Sequence, residues 1–222
     1  MKQLIGDWDQ VIGGIFKSPE SEVLRNQLRA ESKKYAIRPG LANTLRAFYP
    51  ELCSVDKFKV CVIGQCPYPT GNLATGIAFG VNKNDKVPPS LNYIIKALKE
   101  GDLIEDPKKF DITLQSISQQ GVLFLNSALT VRYNEAGSHL GIWRPVTTMI
   151  MSELNNRFKN IVFIFMGAKA KEFRSLINPN KNHILSCDHP AKASYTGNVW
   201  KHNDVFVRTN EILGNKNKII WN

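Results

Sequence analysis

The chain is 222 residues long, 43% hydrophobic and 22% charged, the make-up of a folded protein able to bury a full core in one domain. No apolar run approaches the roughly 18 residues of a membrane span and no N-terminal stretch reads as a secretion signal, so a membrane-spanning chain is excluded and a soluble, intracellular one expected, cytoplasmic or nuclear. Lys and Arg total 29 against 19 Asp and Glu, a formal net charge of +10, which suits a polyanionic partner, although a basic surface also serves solubility alone.

The four cysteines, Cys53, Cys61, Cys66 and Cys187, form no C-x-x-C pair and have no histidine at zinc spacing. Neither a metal site nor a disulfide framework is expected.

Along the chain, Asp7 is placed to cap a helix carrying Trp8, Val11, Ile12 and Ile15. Ser18 is placed to cap a second, with Pro19 at its first helical position and Val23, Leu24 and Leu28 on one face. That helix runs through Lys34 before Pro39-Gly40 stops it. Apolar runs of strand length follow at Lys59–Gly64, Val122–Asn126, Ile161–Met166 and His183–Ser186. Helical patterns separate them at Ser90–Leu98, Trp143–Leu154 and Ala168–Leu176. The alternation predicts an α/β fold, a three-layer αβα sandwich around a central, mostly parallel four-stranded sheet. No repeat or linker divides the chain, so a single domain is expected over 1–222, with its core at about 5–213 and a loosely ordered basic tail from Gly214 to Asn222.

In open α/β sheets, ligands sit at the carboxyl ends of the strands. The polar residues at three such ends are Gln65-Cys66, Asn126 and His189. Topology alone therefore predicts a site assembled from them.

The segment Gly64-Gln-Cys-Pro-Tyr-Pro69, followed by Gly76-Ile-Ala-Phe-Gly-Val81, resembles the water-activating loop of family-1 uracil-DNA glycosylases. That loop reads Gly-Gln-Asp-Pro-Tyr-His, then Gly-Leu-x-Phe-x-Val, at the same spacing. Gly121-Val-Leu-Phe-Leu-Asn126 with Leu129-Thr-Val-Arg132, Ala136-Gly-Ser-His139 and His189-Pro-Ala-Lys-Ala-Ser194 are similar to further segments of the family, and Asp7-Trp8, Lys33-Lys-Tyr35 and Thr209-Asn-Glu-Ile-Leu213 carry the likeness toward both ends.

The resemblance implies hydrolysis of the N-glycosidic bond between uracil and DNA, in base excision repair, by a monomer needing no cofactor. The substrate would be single- or double-stranded DNA, and a protein inhibitor or a replication partner are the further partners the resemblance offers. Excision requires the base to leave the stack and enter a pocket that reads its Watson–Crick edge. By resemblance, Asn126 reads that edge, Phe79 stacks on the base, Tyr68 fills the space beside C5 and Gln65 makes a backbone-mediated contact. His189 would donate a hydrogen bond to the uracil oxygen that gains charge as the bond breaks, with His139 supporting a loop. Pro88, Pro89, Ser90, Ala191, Lys192, Ala193 and Ser194 fall in segments that contact DNA in the family.

Several positions depart from the pattern. Cys66 stands where the family has its water-orienting Asp, and Pro69 where it usually has His. Ala193 stands at the position of an intercalating leucine, and Ala168 and Ala191 replace phosphate-contacting serines, with Lys169, Lys171 and Lys192 nearby to compensate. A thiol is a poor substitute for a general base, whose loss costs about 10²–10⁴ in rate. Two readings follow: a uracil-DNA glycosylase with attenuated hydrolysis, or a non-catalytic DNA- or uracil-binding accessory protein of replication or repair. A third, in which Cys66 attacks the sugar itself, requires a thiolate of lowered pKa.

Overall fold

The computed structural model describes residues 5–196 and 199–222, with the side chains of residues 194 and 196 outside the described part. In chain order the main elements are helix α1 (Pro19–Ser32), strands β1 (Ile37–Arg38) and β2 (Val60–Gly64), helix α2 (Pro89–Glu100), strands β3 (Val122–Asn126) and β4 (Val131–Arg132), helix α3 (Leu140–Arg157), strands β5 (Val162–Met166) and β6 (His183–Cys187), and helices α4 (Pro190–Thr196) and α5 (Val205–Leu213). Four strands form one parallel sheet in the order β3-β2-β5-β6, as the alternation of apolar runs and helical patterns predicts. β1 and β4 add an antiparallel ladder of two residues each, too short to leave a period in the sequence.

Side chains alternate between the faces of a strand, and β2 divides its apolar run accordingly. Val60 and Val62 pack with Leu91, Ile94 and Leu98 of α2 and Phe206 of α5. Cys61 and Ile63 pack instead with Leu24 of α1 and Val146, Ile150 and Leu154 of α3. Two cores therefore lie back to back across the sheet, with helices on both faces. Among the described residues no helix is long and apolar enough to cross a membrane.

Local expectations hold unevenly. Ser18 caps α1, its hydroxyl accepting from the Ser21 N–H at 3.2 Å, with Pro19 in the first turn. α1 ends at Ser32, not Lys34, and Val23 is 55% exposed. The inward line is Ser21, Leu24 and Leu28, and a neighbouring residue sits about 100° round the helix from Leu24. Asp7 caps no helix of its own. Gly6–Trp8 is a 3-10 turn, and the Asp7 carboxylate accepts from the Val55 N–H at 3.0 Å instead. The expected helix at Ala168–Leu176 breaks after Lys171 and resumes as a 3-10 turn at Arg174–Leu176.

The tail is the clearest correction. Ile219 and Trp221 are buried in the α2/α5 core, so the core runs past residue 213. Asn210 exchanges two hydrogen bonds with Ile219, at 2.8 and 2.9 Å, and Gln120 exchanges two with Ile220, both at 2.8 Å. Two buried apolar side chains behind a basic stretch outweigh the disorder its charge suggests.

This anchoring has a measurable consequence. Trp221→Ala should lower stability in urea unfolding by about 3–5 kcal/mol, the cost of emptying a large buried aromatic site. Ile220→Ala, on a side chain 64% exposed, should change it by less than about 0.5 kcal/mol. Equal, small effects would mean the tail is not packed.

Candidate active site

The parallel pairing of β2 and β3 sets Gly64 directly beside Asn126, each the last residue of its strand. A Cβ on Gly64 would lie 2.7 Å from Asn126 Oδ1 and 3.0 Å from the Phe79 ring. Only a residue without a side chain lets those two groups converge. The chain past both strand ends is tied together: Gly64 O accepts from the Ser127 N–H at 3.0 Å and hydroxyl at 2.8 Å, and Gln65 O accepts from the Ala128 N–H at 3.1 Å. Thr147 of α3 fastens this junction from behind, donating to Ser127 O at 2.9 Å.

Phe79 reaches the cavity from a backbone with φ of +68°, a conformation that costs a bulky residue free energy and persists only where its surroundings hold it. Two bonds do so here. The Ala78 N–H donates to Phe124 O of β3 at 3.1 Å, and the Tyr68 hydroxyl donates to Phe79 O at 3.0 Å. Burial raises the Tyr68 pKa, against a smaller opposing effect of Ser90, so the hydroxyl keeps its proton and its grip on Phe79.

His189 follows β6 and opens α4. A Cβ on Gly167, whose φ is +91°, would lie 2.6 Å from His189 Cβ, so the ring is admitted only because glycine follows β5. Burial lowers the His189 pKa to about 4. The Ala191 N–H donates to Nδ1 at 3.2 Å, which leaves Nε2 to carry the proton of the neutral ring. The ring centroid stands 5.8 Å from that of Phe79.

Gln65, Cys66, Tyr68, Phe79, Asn126 and His189 all line one cavity of about 200 Å³. Every residue that the sequence assigns to catalysis or base binding is thus brought together, at the carboxyl ends of the strands. Asn126 is 7% exposed and its side-chain amide has no partner among the described residues. Cys66 is partly buried; burial raises its pKa and the Gly137 N–H only partly opposes this, so the thiol is neutral near pH 7, against the thiolate that a nucleophile requires. A larger cavity of about 880 Å³ opens at the opposite ends of the strands, beside Lys59, Ile161 and His183, and holds none of these groups.

The residues assigned to DNA contact separate. Pro88 is buried at the start of α2 and Pro89 is exposed, while Ser90 is buried and lines the cavity. Ala191 also lines it, and Lys192 is exposed with its amine 3.4 Å from Asp188. Lys171 pairs with the same carboxylate at 3.7 Å, and Lys169 with Glu172 at 3.0 Å. Ala193 is 4% exposed and packs into the core, so it is no surface for DNA; a helix turned inward at this position hides it. The Ser194 side chain lies outside the described residues. Sequence reasoning missed Tyr195, which is 87% exposed and lines the cavity. The signal was helical phase, since two residues along α4 turn a side chain about 200° from Ala193.

His139 takes the supporting place the resemblance implies. Fully buried, it meets Thr130 Oγ1 through Nδ1 at 2.8 Å, and that hydroxyl accepts from the Trp143 indole at 2.7 Å. Its Nε2 lies 3.5 Å from Glu31, which binds Arg132 through both carboxylate oxygens, at 2.5 and 2.9 Å.

Residues 50–214 match the family model of the uracil DNA glycosylase superfamily. A uracil-DNA glycosylase of Flavobacterium johnsoniae is 34% identical over 210 residues, covering 94% of this chain and 93% of the relative. One from Enterococcus faecalis is 37% identical over 196 residues, covering 87% and 85%. The crystal structure of mimivirus uracil-DNA glycosylase superposes with a TM-score of 0.85 at 27% identity, covering 97% of this chain and 86% of that one. A mimivirus variant in complex with UGI gives 0.83 at 27% identity, covering 97% and 88%. The chain belongs to the uracil-DNA glycosylase superfamily.

The buried, neutral His189 should mark the pH dependence of stability. Its folded pKa of about 4 lies below the ordinary imidazole value of 6.5, so between these values the unfolded chain binds the extra proton and acid favours unfolding. Stability should be fully retained above pH 6.5 and fall by about 3 kcal/mol as pH drops to 4. His189→Gln should lose that component while keeping the rest of the acid profile; identical profiles would place His189 in water.

Proposed function

We propose that the chain excises uracil from DNA by hydrolysing the N-glycosidic bond, at a rate attenuated by Cys66. The observation that carries this reading is the convergence of Asn126, Phe79, Tyr68 and the neutral His189 on one cavity. The unpartnered Asn126 amide suits the uracil edge, accepting from N3–H and donating to O4. Cytosine offers the reversed pattern and would leave buried groups unpaired, which is how such a site discriminates. Phe79 supplies a ring face for stacking, and Tyr68, held by its bond to Phe79 O, fills the space that a 5-methyl group would need.

As the bond to the sugar lengthens, negative charge gathers on the uracil O2. The Nε2–H of His189, held by the Ala191 N–H at Nδ1, is the donor offered to it, and a preorganised donor of this kind is worth about 10²–10³ in rate. A water then attacks the sugar. Cys66 can hydrogen-bond that water, but a neutral thiol neither takes its proton well nor opposes the positive charge on the sugar. Its high thiol pKa also weighs against covalent attack by sulfur.

In this reading the chain is a single domain that works as a monomer inside the cell, on single- or double-stranded DNA. The complex of a mimivirus relative with UGI makes a protein inhibitor of that kind a candidate partner.

Single-turnover excision on labelled uracil oligonucleotides tests the reading. The natural chain should form abasic sites slowly, and Cys66→Asp should accelerate this by about 10²–10⁴. No product from either protein at enzyme excess, with DNA binding intact, would sink excision in favour of an accessory binding role.

A further inference from the structure

Arg38 and Tyr133 stand on one face of the β1–β4 ladder. The register sets Arg38 opposite Val131, and Tyr133, two residues on, returns to the same side. The Arg38 guanidinium carbon lies 5.3 Å from the centroid of the Tyr133 ring, which is 42% exposed. Resting on the excision reading above, we propose that this pair is a platform for the single-stranded DNA that flanks the uracil. A base stacks on Tyr133, and the backbone phosphates lie against Arg38 and Arg46.

The other face of the ladder carries the same chemistry in closed form. There the Arg132 guanidinium lies 4.1 Å from the Tyr35 ring, which is about as exposed, but Glu31 and Glu135 neutralise its charge. Arg38 has no ion-pair partner among the described residues. Its Nε donates to Gly71 O at 3.1 Å and its Nη1 to Ile37 O at 3.2 Å, bonds that fix the guanidinium without cancelling its charge. Arg46 is held in the same way, Nη1 donating to Thr75 O at 3.2 Å, and it too has no ion-pair partner among the described residues. The closed pair serves the ladder's stability. An open pair, with its charge unspent beside an accessible ring, is what a nucleotide requires.

The platform is tied to the rim of the uracil cavity. Pro69, Thr75 and Ala136 line that cavity. The Asn134 N–H, next to Tyr133, donates to Pro69 O at 3.0 Å, while Arg38 and Arg46 hold the carbonyls of Gly71 and Thr75. A strand with its uracil in the cavity brings neighbouring nucleotides to this rim. Only a single strand can use the ring, because the bases of a duplex are already stacked and paired. Stacking on an aromatic side chain tolerates every base, so the platform adds affinity and strand preference without altering which base the cavity reads.

The test measures Kd by fluorescence anisotropy on a labelled single strand with one central uracil and on the matching duplex. Deoxyuridine 3′,5′-bisphosphate, measured by competition, reports the cavity alone. Tyr133→Ala should raise Kd for the single strand by about tenfold, while changing that for the duplex and the bisphosphate by less than about twofold. Tyr133→Phe should bind all three as the natural chain does. Arg38→Ala should weaken single-strand binding and flatten the slope of log Kd against log salt by about 0.7, the share of one phosphate contact on a single strand. An equal loss on single strand and bisphosphate, an equal loss on single strand and duplex, or no loss at all would overturn the assignment. If the natural chain excises no uracil, the excision reading fails, and the three affinities still decide whether the platform holds a single strand.

Discussion

β2 is paired on both sides, to β3 and to β5, and this double pairing fixes where Gly64 ends relative to Asn126. A slip of one residue would turn every β2 side chain to the opposite core. The register is therefore held by both hydrophobic cores at once, and the site inherits its geometry from it. Asn126 and Phe79 approach over the bare Cα of Gly64, Tyr68 pins Phe79 from the neighbouring loop, and the left-handed backbone of Phe79 is tolerated because these contacts leave it nowhere else to go. Loop residues gain the precision of a sheet by being tied to its last residues.

Burial moves Cys66, Tyr68 and His189 toward neutrality, the thiol and the phenol upward and the imidazole downward. A neutral cavity receives a neutral base without stripping water from a competing charge. It also offers nothing to oppose the positive charge that the sugar acquires. In the proposed reaction the retained groups act on the base, in the ground state and in the transition state, whereas the departure at Cys66 falls on the sugar and the water, which matter in the transition state alone. Recognition and turnover are separable in such a site, because only interactions that strengthen in the transition state accelerate the step.

β2, β3 and β5 were legible because their apolar runs are buried throughout and bounded by polar residues, and β6 because it continues the same alternation at the sheet's edge. Val122–Asn126 matches its run residue for residue, and the other three differ by one. Gln65, Asn126 and His189 could be placed together for the same reason, since each ends or follows a strand and the ends of parallel strands lie side by side. The failures share a different cause. Asp7 satisfies a donor 48 residues away, and Ile219 and Trp221 are buried by helices far from them in sequence. A local window contains neither partner. The two-residue ladder of β1 and β4 is likewise decided by tertiary contact.

α4 shows why matching positions is weaker evidence than matching phase. The resemblance pairs Ala193 with a residue that would point at DNA, yet here position 193 faces the core and an aromatic ring appears two residues later, on the opposite side of the helix. Sheet-borne residues such as Asn126 keep their direction because hydrogen-bonded register holds it. A residue on a seven-residue helix following a loop keeps its direction only while the helix keeps its rotation, and that rotation is set by which small side chain fits against α2. Among the described residues, Ala193 is the side chain of α4 buried in that core. The bulk missing at position 193 and the exposed bulk at Tyr195 are thus two aspects of one packing choice.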